Sequence, residues 1–249
     1  MSQRKPRPTA RPSSQRVTAA EQERQLAQRR KDRRTLIIAA AVVLLLVIGA
    51  GVGYQVWRVN RGPSAVPERA ETLDPQPVVN GKPVRIGKSD APRTLTAYID
   101  FHCPGCAGFE DDYGQALFDA VGRGAVALDV YPMSFHDAGS TAAANGFACA
   151  VEAGFGPAYY RGLFANRDLD WSDGQLTGLA EQVVAEVPPG FGACVRARSH
   201  SGWVDSMNDA ADRAGVQQTP TILLDGDPVD LSTTTPDMLI AMIDEGPAR

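Results

Sequence analysis

The 249-residue chain is 43% hydrophobic and 22% charged, which suits one packed domain with additions and not a protein that crosses a membrane many times. Its net charge of −4 hides an asymmetry, because residues 1–34 carry +8 and the remaining 215 carry −12. A basic tail in front of an acidic body excludes a nucleic-acid-binding body, whose phosphate contacts would need a basic patch on the folded part.

The charge break falls at a hydrophobic run. Leu36 to Trp57 contains no charged residue for 22 positions, and about 20 residues of helix cross a bilayer. Tyr54 and Trp57 stand at its far end, where amphipathic rings favour the headgroup layer, and Arg29, Arg30, Lys31, Arg33 and Arg34 abut its near end. The positive-inside rule then predicts a cytoplasmic tail (1–34), a single-pass anchor (35–57) and an exported remainder. A cleaved signal peptide would have a shorter apolar region and a small-residue cleavage site close behind it. A buried soluble helix would show a polar face. The tail reads as a topology signal in contact with anionic lipid, with Thr18 to Arg34 suited to a surface helix. Residues 58–78, with Pro63, Pro67, Pro75 and Pro77, read as a semi-extended tether.

The folded body is placed at 79–249. Val84 to Ile86 and Thr94 to Phe101 read as strands, Pro104 to Val121 as a helix begun by proline, and Ala125 to Tyr131 as a further strand. This βαβ pattern predicts parallel strands with a right-handed crossover. Helical character follows in Ser140 to Ala153, Ala158 to Ala165, Ser172 to Glu186, Phe191 to Ser199 and Trp203 to Ala214. Thr221 to Asp225 reads as a strand, Asp225-Gly226-Asp227 as a tight turn, Val229 to Leu231 as a returning strand, and Pro236 to Asp244 as a closing helix. Phe155, Tyr159, Tyr160 and Phe164 are expected in the core of the helical block.

All four cysteines, Cys103, Cys106, Cys149 and Cys194, follow the anchor, on the side where disulfides persist. An even count suits two pairs. Cys103-Pro104-Gly105-Cys106 lies between a strand and a helix. Cysteines three apart on a helix share a face within disulfide reach. At the helix start, unpaired backbone N–H groups and the positive end of the dipole favour thiolate at Cys103. That makes Cys103 the accessible, attacking sulfur and Cys106, one turn deeper, the resolving one. Gln217 to Thr221 contains Thr219-Pro220 just before a strand. A proline there can be cis, and an extended Thr219 backbone facing the cysteines could hydrogen-bond a client chain as an added strand.

Phe101 to Cys106 (FHCPGC) and Gly215 to Gly226 (GVQQTPTILLDG) resemble the DsbA-like thiol–disulfide oxidoreductases of thioredoxin fold, in particular the membrane-anchored bacterial type with a helical insertion. The resemblance covers roughly residues 79–245. It implies an α/β, thioredoxin-like fold with an inserted helical domain at about 138–200, preceded by one transmembrane helix. It further implies a nucleophile at Cys103, a resolving thiol at Cys106 and a cis-proline at Pro220. Many relatives place a buried acid six residues before the first cysteine. Here that position is Ala97, and Asp100 is the nearest acid, read as a solvated strand-end residue with a proton-transfer role as the alternative. The strongest oxidants of the family carry His before the second cysteine, where this chain has Gly105. His102, beside Cys103, is a candidate for stabilising the thiolate when protonated. His136 and His200 read as isolated surface or capping residues.

Cys149 and Cys194, both in predicted helices, are expected to form a structural disulfide pinning two helices of the insertion; two buried free thiols or a second redox pair are the alternatives. A zinc site is disfavoured because the second pair is not a CxxC. No dinucleotide, Walker or nucleophile-elbow motif is visible, and the chemistry needs neither organic cofactor nor metal. The expected function is to introduce disulfides into unfolded or reduced exported proteins, with re-oxidation by a membrane quinone-linked oxidase such as a vitamin K epoxide reductase homologue, as the resemblance implies. A disulfide reductase or isomerase, or a non-catalytic cell-envelope binding module, is the alternative.

Overall fold

A computed structural model describes residues 19–63 and 77–246; the start of the tail and most of the tether, residues 64–76, lie outside them. Contacts divide the chain into Met1–Gln55 and Val56–Arg249. In the first unit the helix α1 begins at Ala19 and runs on to Asn60. Within Glu21–Arg58 the most apolar 18-residue window has a mean hydropathy of 2.9, and the helix is long and apolar enough to cross a membrane. Leu36, Leu45, Leu46 and their neighbours are exposed along it. Such a surface is costly in water and favourable in lipid, and a helix satisfies its own backbone polar groups there.

The second unit holds a five-stranded sheet in the order β1-β3-β2-β4-β5: β1 (Val84–Ile86), β2 (Thr94–Ile99), β3 (Ala127–Pro132), β4 (Thr221–Leu224) and β5 (Asp227–Pro228). β2 and β3 are parallel, with Thr94 opposite Ala127 and Ile99 opposite Pro132; the other pairings are antiparallel. Parallel strands need a crossover, and α2 (Pro104–Gly122) supplies it. The alternation of β2 sends Leu95, Ala97 and Ile99 into the main core. Tyr98 faces the other way, stacked on Tyr131 and packed with Met133, Ala211 and Val216 beneath α7 (Ser201–Arg213).

Between β3 and α7 stand α3 (Ala138–Glu152), α4 (Gly156–Ala165), α5 (Asp173–Val183) and α6 (Phe191–Ala197); α8 (Pro236–Asp244) closes the chain against α2. The predicted aromatic residues are buried here. Phe101, at the end of β2, packs its ring against Phe147, Tyr160 and Phe164 at 5.1 to 5.7 Å, which locks the sheet to the helical layer. α3 starts earlier than expected. Asp137 is its N-cap, accepting from the Ser140 N–H while Ser140 accepts back from the Asp137 N–H, so the serine taken for a start sits one turn inside.

The last hairpin differs from the expectation. Asp225 and Gly226 both have positive φ, of 52° and 93°, which makes a two-residue turn. Asp227 therefore pairs with Leu224, and the return strand is Asp227–Pro228, not Val229 to Leu231. Val229 still donates to the Ile222 carbonyl.

Cys149 on α3 and Cys194 on α6 are joined in a disulfide across 45 positions. Closing a loop of that length removes roughly 4 kcal/mol of chain entropy from the unfolded state. A Cys149→Ala/Cys194→Ala protein should lose about that much stability, read as a lower denaturant midpoint with a steeper slope, because the unlinked unfolded chain exposes more surface.

Candidate active site

β2 ends at Ile99, and a short turn, with the Cys103 N–H donating to the Asp100 carbonyl, leads into α2. Cys103 is the N-cap, in extended conformation, with Pro104 at the first helical position. The helix therefore presents its unpaired N–H groups and positive dipole end to the Cys103 sulfur. Both active-site cysteines are free thiols. Cys103 is 6% exposed and Cys106 is fully buried, so solvent reaches the pair only through Cys103.

The sequence places Thr219-Pro220 before β4, antiparallel to β2, and this carries the loop to the head of α2. The Thr219–Pro220 peptide is cis. The Cys103 thiol donates to the Thr219 carbonyl oxygen at 3.3 Å. Gly105 lies against this loop: a Cβ there would be 3.2 Å from Pro220 Cδ, a tight contact, and 3.7 Å from Cys103 Sγ.

The two thiols have opposite electrostatics. Burial opposes ionisation of Cys103, but hydrogen bonds from the Thr219 side chain, the Cys106 backbone N–H, His136 and the Cys106 side chain outweigh it and hold this thiol below its ordinary range. Burial dominates at Cys106 and pushes it far up, with the nearby Cys103 charge adding to the rise and the Asp100 backbone opposing it. The Asp100 N–H points at Cys106 Sγ at 3.4 Å.

The histidine beside Cys103 is His136, not His102. Both His102 ring nitrogens are engaged elsewhere, Nδ1 with Asp137 Oδ1 at 2.7 Å and Nε2 with the Leu169 carbonyl at 2.9 Å. His136 is exposed, and its pKa is raised, first by its hydrogen bond to Cys103; burial opposes the rise, and the charges of Asp100, Cys103 and Asp137 add to it. Parallel strands end at the same edge of a sheet, so the loop after β3 necessarily arrives beside the loop after β2. That was the available signal for His136.

Asp100 is also not the solvated residue expected; it is fully buried. Oδ1 accepts from the His102 N–H and Ser140 Oγ, both at 2.8 Å, and Oδ2 from the N–H groups of Phe135 at 2.9 Å and His136 at 3.3 Å. One carboxylate thus ties the cysteine turn, the 134–137 loop and the start of α3 together. Among the described residues one cluster, Cys149, Cys194 and His200, brings potential metal-ligating atoms within 4.8 Å of one another, but its two sulfurs are bonded to each other. His200 is not isolated: its Nε2 lies 3.1 Å from Glu152.

Residues 79–245 match the family described as Thioredoxin. Disulfide bond formation protein D of Bacillus subtilis is 26% identical over 159 residues, covering 61% of this chain and 71% of that protein. Among solved structures, the reduced disulfide bond oxidoreductase DsbG of Mycobacterium tuberculosis superposes with a TM-score of 0.58 at 23% identity, over 68% of this chain and 88% of that one. The thiol–disulfide oxidoreductase MdbA of Actinomyces oris gives 0.60 at 19% identity, over 75% and 100%. Oxidised BdbD of Bacillus subtilis gives 0.56 at 23% identity, over 71% and 98%.

Two predictions follow from this geometry. In His136→Ala the pH at which Cys103 becomes half-alkylated should move upward, with several-fold slower alkylation in mildly acidic buffer, while His102→Ala should leave that midpoint in place. Asp100→Ala strands one buried and three part-buried donors and should cost about 3–5 kcal/mol in denaturant unfolding. By the family match the chain belongs to the thioredoxin family, with a CPGC pair at the head of α2 facing a cis-proline.

Proposed function

We propose that the chain introduces disulfides into reduced exported proteins, with Cys103 as the exchanging sulfur, Cys106 as its resolving partner and the Thr219-Pro220 backbone as the client-docking edge. The observation that carries this is the opposite treatment of the two thiols: Cys103 is favoured as a thiolate at a helix N-terminus, and Cys106 is disfavoured as one by complete burial. Stabilising the Cys103 thiolate stabilises the reduced protein, and a dithiol favoured in that way makes its disulfide an oxidant.

In the oxidised protein a client thiolate attacks Cys103 Sγ. The Cys103–Cys106 bond breaks, and Cys106 leaves as a thiolate that takes up a proton. A second client thiolate attacks the client sulfur of the mixed disulfide, and Cys103 leaves as a stabilised thiolate. The client loses two electrons and the enzyme gains them. The Thr219 carbonyl, which the Cys103 thiol engages at 3.3 Å, is exposed to a client segment laid alongside it once Cys103 is bonded elsewhere.

The apolar span of α1 and the arginine-rich tail support an uncleaved anchor with a cytoplasmic N-terminus and an exported catalytic unit. Re-oxidation is assigned to a membrane quinone-linked oxidase, of the vitamin K epoxide reductase type that the family resemblance suggests. An anchor in the same bilayer raises the effective concentration of the two partners.

The test is a glutathione redox titration of the full chain in detergent, with a refolding assay on a reduced client. The expected potential is close to about −120 mV, with the reduced form the more stable in denaturant; a value near about −270 mV would make the protein a reductant and overturn the direction. Cys106→Ala should accumulate client mixed disulfides that reducing agent releases, and Cys103→Ala should accumulate none. A Cys103→Ser protein with undiminished function would leave only a binding module.

A further inference from the structure

Building on the disulfide-exchange reading, we propose that Glu110, linked through the Tyr160 hydroxyl, is the proton store for Cys106. The need arises from the chemistry. Cys106 is fully buried, yet it must become a thiolate to attack a mixed disulfide and must be protonated when it is expelled. Ala97 is itself buried in the core and can neither give nor take a proton. Asp100 is occupied, since four donors fill its two oxygens.

Glu110 lies four residues after Cys106 on α2, one turn along the same face. Its carboxyl takes a hydrogen bond from Tyr160, and its Oε2 is buried with no partner. An unpartnered carboxyl oxygen away from water is costly for the charged form and has room for a proton. Burial raises the Glu110 pKa to about 7, opposed by Arg161 and the Tyr160 hydrogen bond and assisted by Asp111. Tyr160, on α4, is 1% exposed and packs against Phe101, which leads into the cysteine turn. Its own phenol is held well above the usual range by burial, then by the charges of Glu110 and Cys106, so it stays protonated, hydrogen-bonded to Glu110 and within electrostatic reach of Cys106.

Two further features fit a proton store. Gly114 opens the slot that the carboxyl fills, since a Cβ there would lie 2.6 Å from Glu110 Cδ and Oε1. On the outer side, a cleft of about 230 Å³ lined by Glu110, Asp111, Gln115, Arg161 and Phe164 leads toward solvent. The charged groups facing the carboxyl are therefore Asp111 from its own helix and Arg161 from α4, and Arg161 also donates to Gln115 at 2.9 Å.

The step balances. In resolution, the Cys106 proton passes by way of Tyr160 to the Glu110 carboxylate. Cys106 sulfur bonds to Cys103 sulfur, the mixed disulfide breaks, and the client leaves as a thiolate. In client oxidation the same proton returns from the carboxylic acid to the expelled Cys106 thiolate.

The test follows single-turnover release of glutathione from the mixed disulfide formed when reduced full-length protein meets oxidised glutathione, between pH 5 and 9. The wild type should show release rising through an inflection near 7. Glu110→Gln should lose that inflection and release about tenfold more slowly at neutral pH. Gly114→Ala, which suits a helix and fills the slot with a methyl group, should do the same, with the alkylation profile of Cys103 unchanged in both. Tyr160→Phe should fall in the same direction. If Glu110→Gln fails to fold, Gly114→Ala carries the test. Release within about twofold of wild type at every pH in these variants overturns the relay and leaves the exchange reading intact. A wild-type mixed disulfide that never resolves overturns the exchange reading itself.

Discussion

A carboxylate with no exposed surface can remain in a protein only when donors replace the water it gave up. At the end of β2 the donors come from three separate stretches of chain: the turn into α2, the loop after β3, and the first turn of α3. Each bond to a charged acceptor contributes about 1.5–3 kcal/mol, and together they outweigh the cost of burying Asp100. The consequence is positional. The turn that carries Cys103 and the loop that carries His136 are held to the same two oxygens, so the sulfur and the imidazole keep their relation to each other. Parallel pairing of β2 with β3 brings the two loops to one edge of the sheet, and Asp100 then fastens them.

From this fixed edge the two sulfurs acquire different chemistry without any cofactor. Cys103 caps α2 and meets N–H groups, a histidine and the Thr219 side chain, which together favour negative charge more than burial opposes it. Three residues on, Cys106 is one helical turn inside the core, among groups that favour the neutral thiol. A single helix start thus divides one motif into a sulfur that exchanges with clients and a sulfur that waits beneath it. Gly105 belongs to the same arrangement, since it leaves the cis-proline loop uncrowded where it lies over the pair.

The order of strands and helices, the CPGC position and the proline loop were legible because each rests on local signals: β-branched runs, a proline at a helix start, and a threonine-proline before a strand. What was not legible depended on distant partners. His102 and His136 look alike in the sequence, and only the parallel β2–β3 register decides which ring reaches the thiol. Asp100 looked like a strand-end acid because its donors lie about 35 to 40 positions downstream. Glu110 sat in an acidic run, Glu110-Asp111-Asp112, that reads as a solvated first turn; Gly114, four residues later, is the mark of a carboxyl folded back against its own helix. The shifted start of α3 has a local cause, since aspartate followed three residues later by serine makes a reciprocal cap that a search for Ser/Thr-x-x-Glu passes over.

The same physics links the anchor to the helical block. An apolar span with exposed leucines and valines is stable in lipid, and an exported unit would meet oxidising conditions. Wherever the first pair exchanges disulfides, a second cysteine pair would compete as a substrate for it if it were free. Joining Cys149 to Cys194 removes that competition and pins α3 to α6. α3 is also the helix whose first turn supplies Ser140 to Asp100 and whose Phe147 packs on Phe101. The disulfide therefore steadies the far end of the element on which the near end of the active site is built.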